Sequence, residues 1–212
     1  MDWALGHIVL LLLGLQAPSA GTAADMVQLA GLYRQAASAQ AAGDYAEAER
    51  LQRIVAEETA RIPGISPNEQ ARQFSNLASV LNLRGKADEA LAFLLKAQDL
   101  MERQPNIDPA EFALLHLNLG RAYALRAQWA EAENEYRSGT TILNTTAGLD
   151  EDLSYDADAQ LAYVYWKTHR FAQAKPLYER ALRFFTEALG PDHRAVRQWQ
   201  AEYQELLKDM PR

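Results

Sequence analysis

Small and apolar residues recur along this chain at helical spacing, and the set of positions itself recurs. The stretches "GDYAEA" from 43, "GKADEA" from 85, "AQWAEA" from 127 and "HRFAQA" from 169 stand 42 residues apart without a gap. Ala48, Ala90, Ala132 and Ala174 are therefore equivalent, and so are Tyr45, Ala87, Trp129 and Phe171. Upstream, the same register aligns Ala36, Ala78, Gly120 and Ala162, with Gln35, Leu77, Leu119 and Leu161 one position before them. Ala39, Leu81, Tyr123 and Tyr165 follow three positions on. Downstream, Gln52, Leu94, Tyr136 and Tyr178, then Val55, Ala97, Gly139 and Ala181, extend the second apolar face at spacings of four and three. Each unit thus predicts two amphipathic helices. Small residues at fixed points predict where their axes cross closely, with larger neighbours filling the flanks.

The joints repeat as well. Gly64, Asn106, Gly148 and Gly190 occupy one register position and are residue types that tolerate the left-handed backbone closing a helix. Two positions on, Ser66, Asp108, Asp150 and Asp192 predict N-caps, each worth about 1 kcal/mol. Pro67 and Pro109 then suit a first helical position, and Glu69 and Glu111 predict capping boxes. The final segment carries Val196, Trp199, Tyr203, Leu206 and Leu207 as one apolar stripe, which predicts a helix that closes the stack.

At this point the sequence resembles the tetratricopeptide repeat family, most fully in Leu119, Gly120, Tyr123, Ala132, Tyr136 and Gly139. The period exceeds the usual 34 or so of that family and resembles its kinesin-light-chain-type subgroup, as do "EALGPDHRAV", "SNLAS" and "LNLGR". The resemblance covers about residues 26–209 and implies an all-α, right-handed solenoid of four antiparallel helix pairs plus a C-terminal capping helix. Repeats are expected over about 26–65, 66–107, 108–149 and 150–191, with the cap over 192–209, all within a solenoid of residues 25–209.

Residues 1–24 read as an export signal or N-terminal anchor: the apolar run Ile8–Leu15 precedes the small-residue string "QAPSAGTAAD", although "MDWALGH" holds Asp2 and no Lys or Arg. The expected location is the bacterial periplasm or outside the cell, with membrane anchoring as the alternative. The net charge of −7, from 21 basic and 28 acidic residues, lacks the clustered cations of a nucleic-acid surface. The absence of cysteine excludes disulfides and thiolate chemistry.

Catalytic signals are poor. The histidines at 7, 116, 169 and 193 have no metal-ligand spacing, and no nucleophile or phosphate-loop motif occurs. Asp150-Glu151-Asp152 reads as a solvated helix start. No enzyme, metal or cofactor is expected. The family resemblance implies instead a concave groove lined by first helices, in which one position falls on Arg34, Asn76, Asn118 and Gln160. Amides there can give and accept hydrogen bonds to the backbone of an extended peptide. Neighbouring groove positions fall on Tyr33, Arg72, Ser75, Ser79, Asn82, Leu117, Arg121, Tyr163, Trp166 and Lys167. The similarity to the family's carboxylate clamp is partial, since Tyr33 and Asn82 stand at its lysine positions. The expected function is a protein-binding adaptor for an extended segment of acidic or C-terminal carboxylate character. The alternatives are an assembly module using the open N-terminal repeat, and a small-ligand module.

Overall fold

The computed structural model describes residues 20–149 and 151–211. Among them every regular element is an α-helix: α1 (Ala20–Ala41), α2 (Tyr45–Arg61), α3 (Pro67–Leu83), α4 (Ala87–Glu102), α5 (Pro109–Leu125), α6 (Trp129–Thr145), α7 (Glu151–Lys167), α8 (Phe171–Leu189) and α9 (Arg194–Asp209). The all-α expectation holds, and each predicted repeat supplies one helix pair. Most of the expected export segment, and Asp150 with its predicted cap, lie outside the described residues; α1 begins at Ala20. No described helix is long and apolar enough to cross a membrane.

The chain forms two compact units, residues 1–107 and 108–212. In the first, α1 packs on α2, α2 on α3 and α3 on α4. In the second, α5 through α9 pack successively in the same way, and α5 also meets α7. Each helix thus buries its apolar stripe against its sequence neighbours.

The recurrent small residues do what the pattern requires. Ala48, Ala90, Ala132 and Ala174 are all fully buried, as are Ala78 and Ala162. At the α5–α6 crossing the approach is closer still. A β-carbon on Gly120 would meet the Tyr136 ring at 2.8 Å, and one on Gly139 would meet Leu117 Cδ2 at 2.8 Å and the Ala113 carbonyl oxygen at 3.1 Å. These distances are below van der Waals contact, so a β-carbon at either position fits only if the ring, the Leu117 side chain or the facing backbone shifts.

The turn inside each repeat is built identically. Gly43, Gly85, Ala127 and His169 all adopt positive φ, at 80°, 70°, 55° and 60°. In each case the amide three residues beyond the helix, from Asp44, Lys86, Gln128 or Arg170, donates back to the carbonyl of Ala39, Leu81, Tyr123 or Tyr165 at 2.8–2.9 Å. This six-to-one bond, with its companion five-to-two bond, is the Schellman closure. It explains why a glycine precedes the second helix in two repeats and shows that Ala127 and His169 hold the same conformation without glycine's freedom.

The joints between repeats follow expectation in part. Gly64, Gly148 and Gly190 adopt φ of 78°, 84° and 83°. Asn106 does not adopt positive φ; its carbonyl accepts a 3.5 Å bond from Asn68 Nδ2 instead. Ser66 Oγ accepts the Glu69 amide at 3.1 Å and Asp108 Oδ1 accepts the Ala110 amide at 2.8 Å, with Pro67 and Pro109 opening their helices. The reciprocal arm of the first capping box is not made, because the Glu69 carboxylate is taken by Arg72 and by Gln73 Nε2. The last helix begins two residues past Asp192, at Arg194, where the His193 carbonyl accepts the Arg197 amide.

In the predicted stripe of α9, Val196, Trp199 and Leu206 are buried, while Leu207 is exposed. The stripe is completed by polar stitches: Tyr178 donates to Glu202 at 3.2 Å and Tyr203 to Glu179 at 2.6 Å, tying α8 to α9. Unit 1 has its own polar stitch. Glu49, 5% exposed, accepts from Arg53 at 2.9 Å, from Lys86 Nζ at 2.8 Å and from Arg84. The Glu49 carboxyl pays a burial penalty, but its hydrogen bonds to Lys86, Arg53 and Arg84 win and hold it down at about 2. Two periods on, Glu133 meets Arg170 in the same manner, and that bond holds its carboxyl below the ordinary value. Both bridges run from a second helix to the turn of the next repeat.

Candidate binding face on the first helices

The residues expected to line a groove divide between the two units. In unit 1, α1 leaves Arg34 and Tyr33 exposed. On α3, Arg72 is engaged by Glu69, and Ser75 and Asn82 are buried at 7% and 3%. The two buried residues pack among helices and do not line an open face. Ser79 and Asn76 are half-buried. Asn76 Nδ2 is enclosed without a hydrogen-bond partner among the described residues, as is Gln52 Oε1 of α2.

Unit 2 concentrates more of the predicted set. Helix α5 carries Leu117, Asn118 and Arg121, and α7 carries Gln160, Tyr163, Trp166 and Lys167. Leu117 is core, pressed on Gly139. At the far end of α7 the Tyr163 and Trp166 rings meet edge to face at 5.9 Å. Lys167 Nζ lies 4.3 Å from the Trp166 centroid and 5.2 Å from that of Tyr163. Trp166 Nε1 donates to Asp209 at 2.8 Å. Trp166 is therefore a strut between α7 and α9 as well as a surface aromatic, and the Lys167 charge is spread over two rings.

The centre of the unit 2 face is polar. Arg121, half-buried on α5, makes no hydrogen bond or ion pair with any described residue, although it lies within electrostatic reach of Tyr136 and Asp156. Tyr136 comes from α6; its ring passes over Gly120, it is 1% exposed, and its hydroxyl has no partner among the described residues. Asp156 lies one turn before Gln160 on α7. Burial pushes the Asp156 carboxyl up from its ordinary value, opposed by Arg121 and Gln160. Burial likewise raises the Tyr136 phenol. Arg121 and Gln160, both expected here, thus bear electrostatically on Asp156, which the sequence did not single out, and Arg121 also on Tyr136, which the sequence placed on the packing face.

The register position of Asn118 and Gln160 continues into α9 as Glu202, which was also missed although the 42-residue spacing points to it. Glu202 accepts from Tyr178 and from Gln198 Nε2 at 3.1 Å. With Asp156 and Glu202 present, this face carries acidic side chains beside its basic and aromatic ones.

His116, at a position where a site would need a free imidazole, is held by Glu135 through Nδ1 at 2.6 Å and edge-on to Phe112. Among the described residues no three metal-capable side chains converge.

Solved structures share this fold. BtubC (BKLC) from P. vanneervenii aligns with a TM-score of 0.61 at 18% identity, over 86% of this chain and 78% of its own. The nearly identical TPR-like repeats of a Podosopora anserina kinesin-light-chain-like protein align with a TM-score of 0.59 at 19% identity, over 85% of this chain and 92% of that one. No curated protein sequence matches. Two sequence models described as tetratricopeptide repeat match residues 69–145 and 159–195, together more than half of the chain. Their matched segments cover the crossings at Ala78, Gly120 and Ala162, and the chain belongs to the tetratricopeptide repeat family, as an all-α repeat scaffold.

Proposed function

We propose that this chain is a non-catalytic adaptor that binds an extended protein segment along the polar faces of its first helices, with a preference for acidic or C-terminal carboxylate chemistry. Repeats of this family serve protein interaction. The observation that carries this reading is the pair Asn118 and Gln160 on successive first helices of unit 2, hydrogen-bonding side chains at one register position where a purely structural face would be filled by apolar residues. Amides at this spacing suit the regular carbonyls and amides of an extended backbone.

The test is an array of synthetic peptides of equal length, varied in charge and ending in either a carboxylate or a carboxamide. Capture of acidic, free-carboxylate peptides is expected, and Asn118→Ala with Gln160→Ala should reduce it about tenfold, about 1.4 kcal/mol. Unchanged capture by that double variant, or a preference for basic peptides, overturns the reading.

A second reading has its own support: Val27 and Tyr33 are 54% and 41% exposed on α1. In that reading the open first repeat docks a partner or another copy, and sedimentation across a concentration series detects self-association. We also propose export to a bacterial envelope, resting on Ile8–Leu15 and the small residues after it. A mature N-terminus near residue 25 supports export, and a retained Met1 on soluble protein overturns it.

A further inference from the structure

Two rings of α7 stand at positions that the earlier repeats fill with small or polar residues. At the register position of Trp166 those repeats carry Asn82 and Ala124, and at that of Tyr163 they carry Ser79 and Arg121. The repeat fold is therefore built elsewhere without aromatics at these points. We propose that Tyr163 and Trp166 form a receptor corner for a quaternary ammonium group, the trimethylammonium of choline being the type, and that the Lys167 ammonium is its resident occupant. The proposal goes beyond the adaptor reading and does not rest on it.

Distances within unit 2 define the corner. The two rings are nearly perpendicular, at 88°, with centroids 5.9 Å apart. A cationic nitrogen already rests against both: Lys167 Nζ is 4.3 Å from the Trp166 centroid and 5.2 Å from that of Tyr163. Each distance is inside the ~6 Å over which a ring face attracts a cation. The rings are also braced by other groups. Trp129 meets Tyr163 edge to face at 6.2 Å, and Asp209 accepts the Trp166 Nε1 hydrogen at 2.8 Å. That carboxylate sets a negative charge at the indole edge, which favours a cation beside it. Tyr163 and Trp166 are half-buried and held by these contacts, whereas Lys167 is exposed on a flexible stem and can leave without disturbing them.

Hydration selects the ligand class. A primary ammonium such as that of Lys167 is compact and strongly hydrated, and it carries three N–H donors that ring faces satisfy poorly. It holds the corner at the cost of part of its water shell. A trimethylammonium has no N–H to desolvate. Its methyl groups bury apolar area on both rings while its charge keeps the attraction of their faces. Such a group therefore displaces Lys167 into solvent, and the corner is filled more favourably by the ligand than by the chain itself.

The test titrates the full-length chain with tetramethylammonium chloride and with choline chloride, read by NMR of the Trp166 indole and the Tyr163 ring. Sodium chloride at equal ionic strength is the control, and circular dichroism confirms the fold of each variant. Saturable shifts of both rings are expected with either probe and not with sodium. Lys167→Gln should tighten binding about two- to fivefold, the worth of one exposed cation–π contact removed from competition. Trp166→Leu should weaken it at least about tenfold, while Tyr163→Phe, which keeps the ring, should stay within about twofold of wild type. Co-sedimentation with phosphatidylcholine vesicles, against phosphatidylglycerol vesicles, identifies the source. Enrichment on phosphatidylcholine assigns a lipid headgroup, choline binding without it assigns a free small molecule, and either upholds the corner. No saturable shift, equal shifts with sodium, or binding by Lys167→Gln no tighter than wild type overturns it.

Discussion

The ring of Tyr136 occupies the space that a β-carbon on Gly120 would need, at 2.8 Å from Cδ1 and 2.9 Å from Cε1. Gly120→Ala should therefore destabilise the protein by about 1–3 kcal/mol, as expected for overpacking against a rigid ring. The contact is pairwise, so the cost should fall when the ring is removed. In urea denaturation, Gly120→Ala with Tyr136→Leu should lose less than the two single variants add up to. Strict additivity would mean that the glycine is present for some other reason.

Gly139 is the second half of the same crossing. It faces both Leu117 and the Ala113 carbonyl, and a backbone atom cannot swing aside. Gly139→Ala should therefore also cost about 1–3 kcal/mol, and Leu117→Ala should relieve it only in part. A full rescue would show that the carbonyl approach is immaterial.

Ala127 and His169 adopt φ of 55° and 60° at the position where the earlier repeats place Gly43 and Gly85. A left-handed residue with a β-carbon costs about 1–2 kcal/mol, part of which glycine returns through its greater freedom in the unfolded chain. Ala127→Gly should therefore stabilise by about 0.5–1 kcal/mol, read as a raised denaturation midpoint. Ala127→Val should do the opposite, since a β-branched side chain fits that region worst.

These turns show how far the sequence could be read. The helix pairs were legible because a close crossing admits few residue types, so Ala48, Ala90, Ala132 and Ala174 repeat without exception. The left-handed turns were legible only where glycine marks them. Ala127 and His169 carry no such mark, and Asn106, which tolerates the conformation, does not use it. At the binding face, register identified Asn118, Arg121 and Gln160 but could not report what lies one helix away. Arg72 is taken by Glu69, Asn82 is enclosed, and Trp166 is bonded to Asp209. Asp156 escaped notice because an acid on a helix reads as solvated surface until a neighbouring helix is known to cover it.

Glu49 joins the first repeat to the second through Arg84 and Lys86 and also pairs with Arg53 on its own helix, and all three cations are about one-third exposed, so solvent screens part of the attraction. Glu49→Gln should cost about 1–3 kcal/mol near neutral pH. The carboxyl is depressed from 4.5 to about 2, so its contribution is complete above the unfolded value and is lost as pH falls through the folded one. The difference between wild type and Glu49→Gln should hold down to about pH 4.5 and shrink toward pH 2. A pH-independent difference would assign the loss to packing alone.

Asp156 predicts the opposite pH dependence. Its folded carboxyl lies above the ordinary 3.8, chiefly because burial disfavours the charge, with Arg121 and Gln160 only partly offsetting that. A raised acid binds its proton more tightly in the folded state, so stability is greatest below the unfolded value and declines as pH rises through the folded one. Asp156→Asn keeps the shape and removes the charge. It should raise the denaturation midpoint at neutral pH and leave it nearly unchanged below about pH 3, where both chains are neutral at this position. Combined with Arg121→Gln, the gain at neutral pH should grow relative to the Arg121→Gln parent, because the cation that favours ionised Asp156 is gone. An Asp156→Asn chain less stable than wild type at neutral pH would show that the ionised form is the one the fold prefers, and the acid would then be an ordinary partner of Arg121.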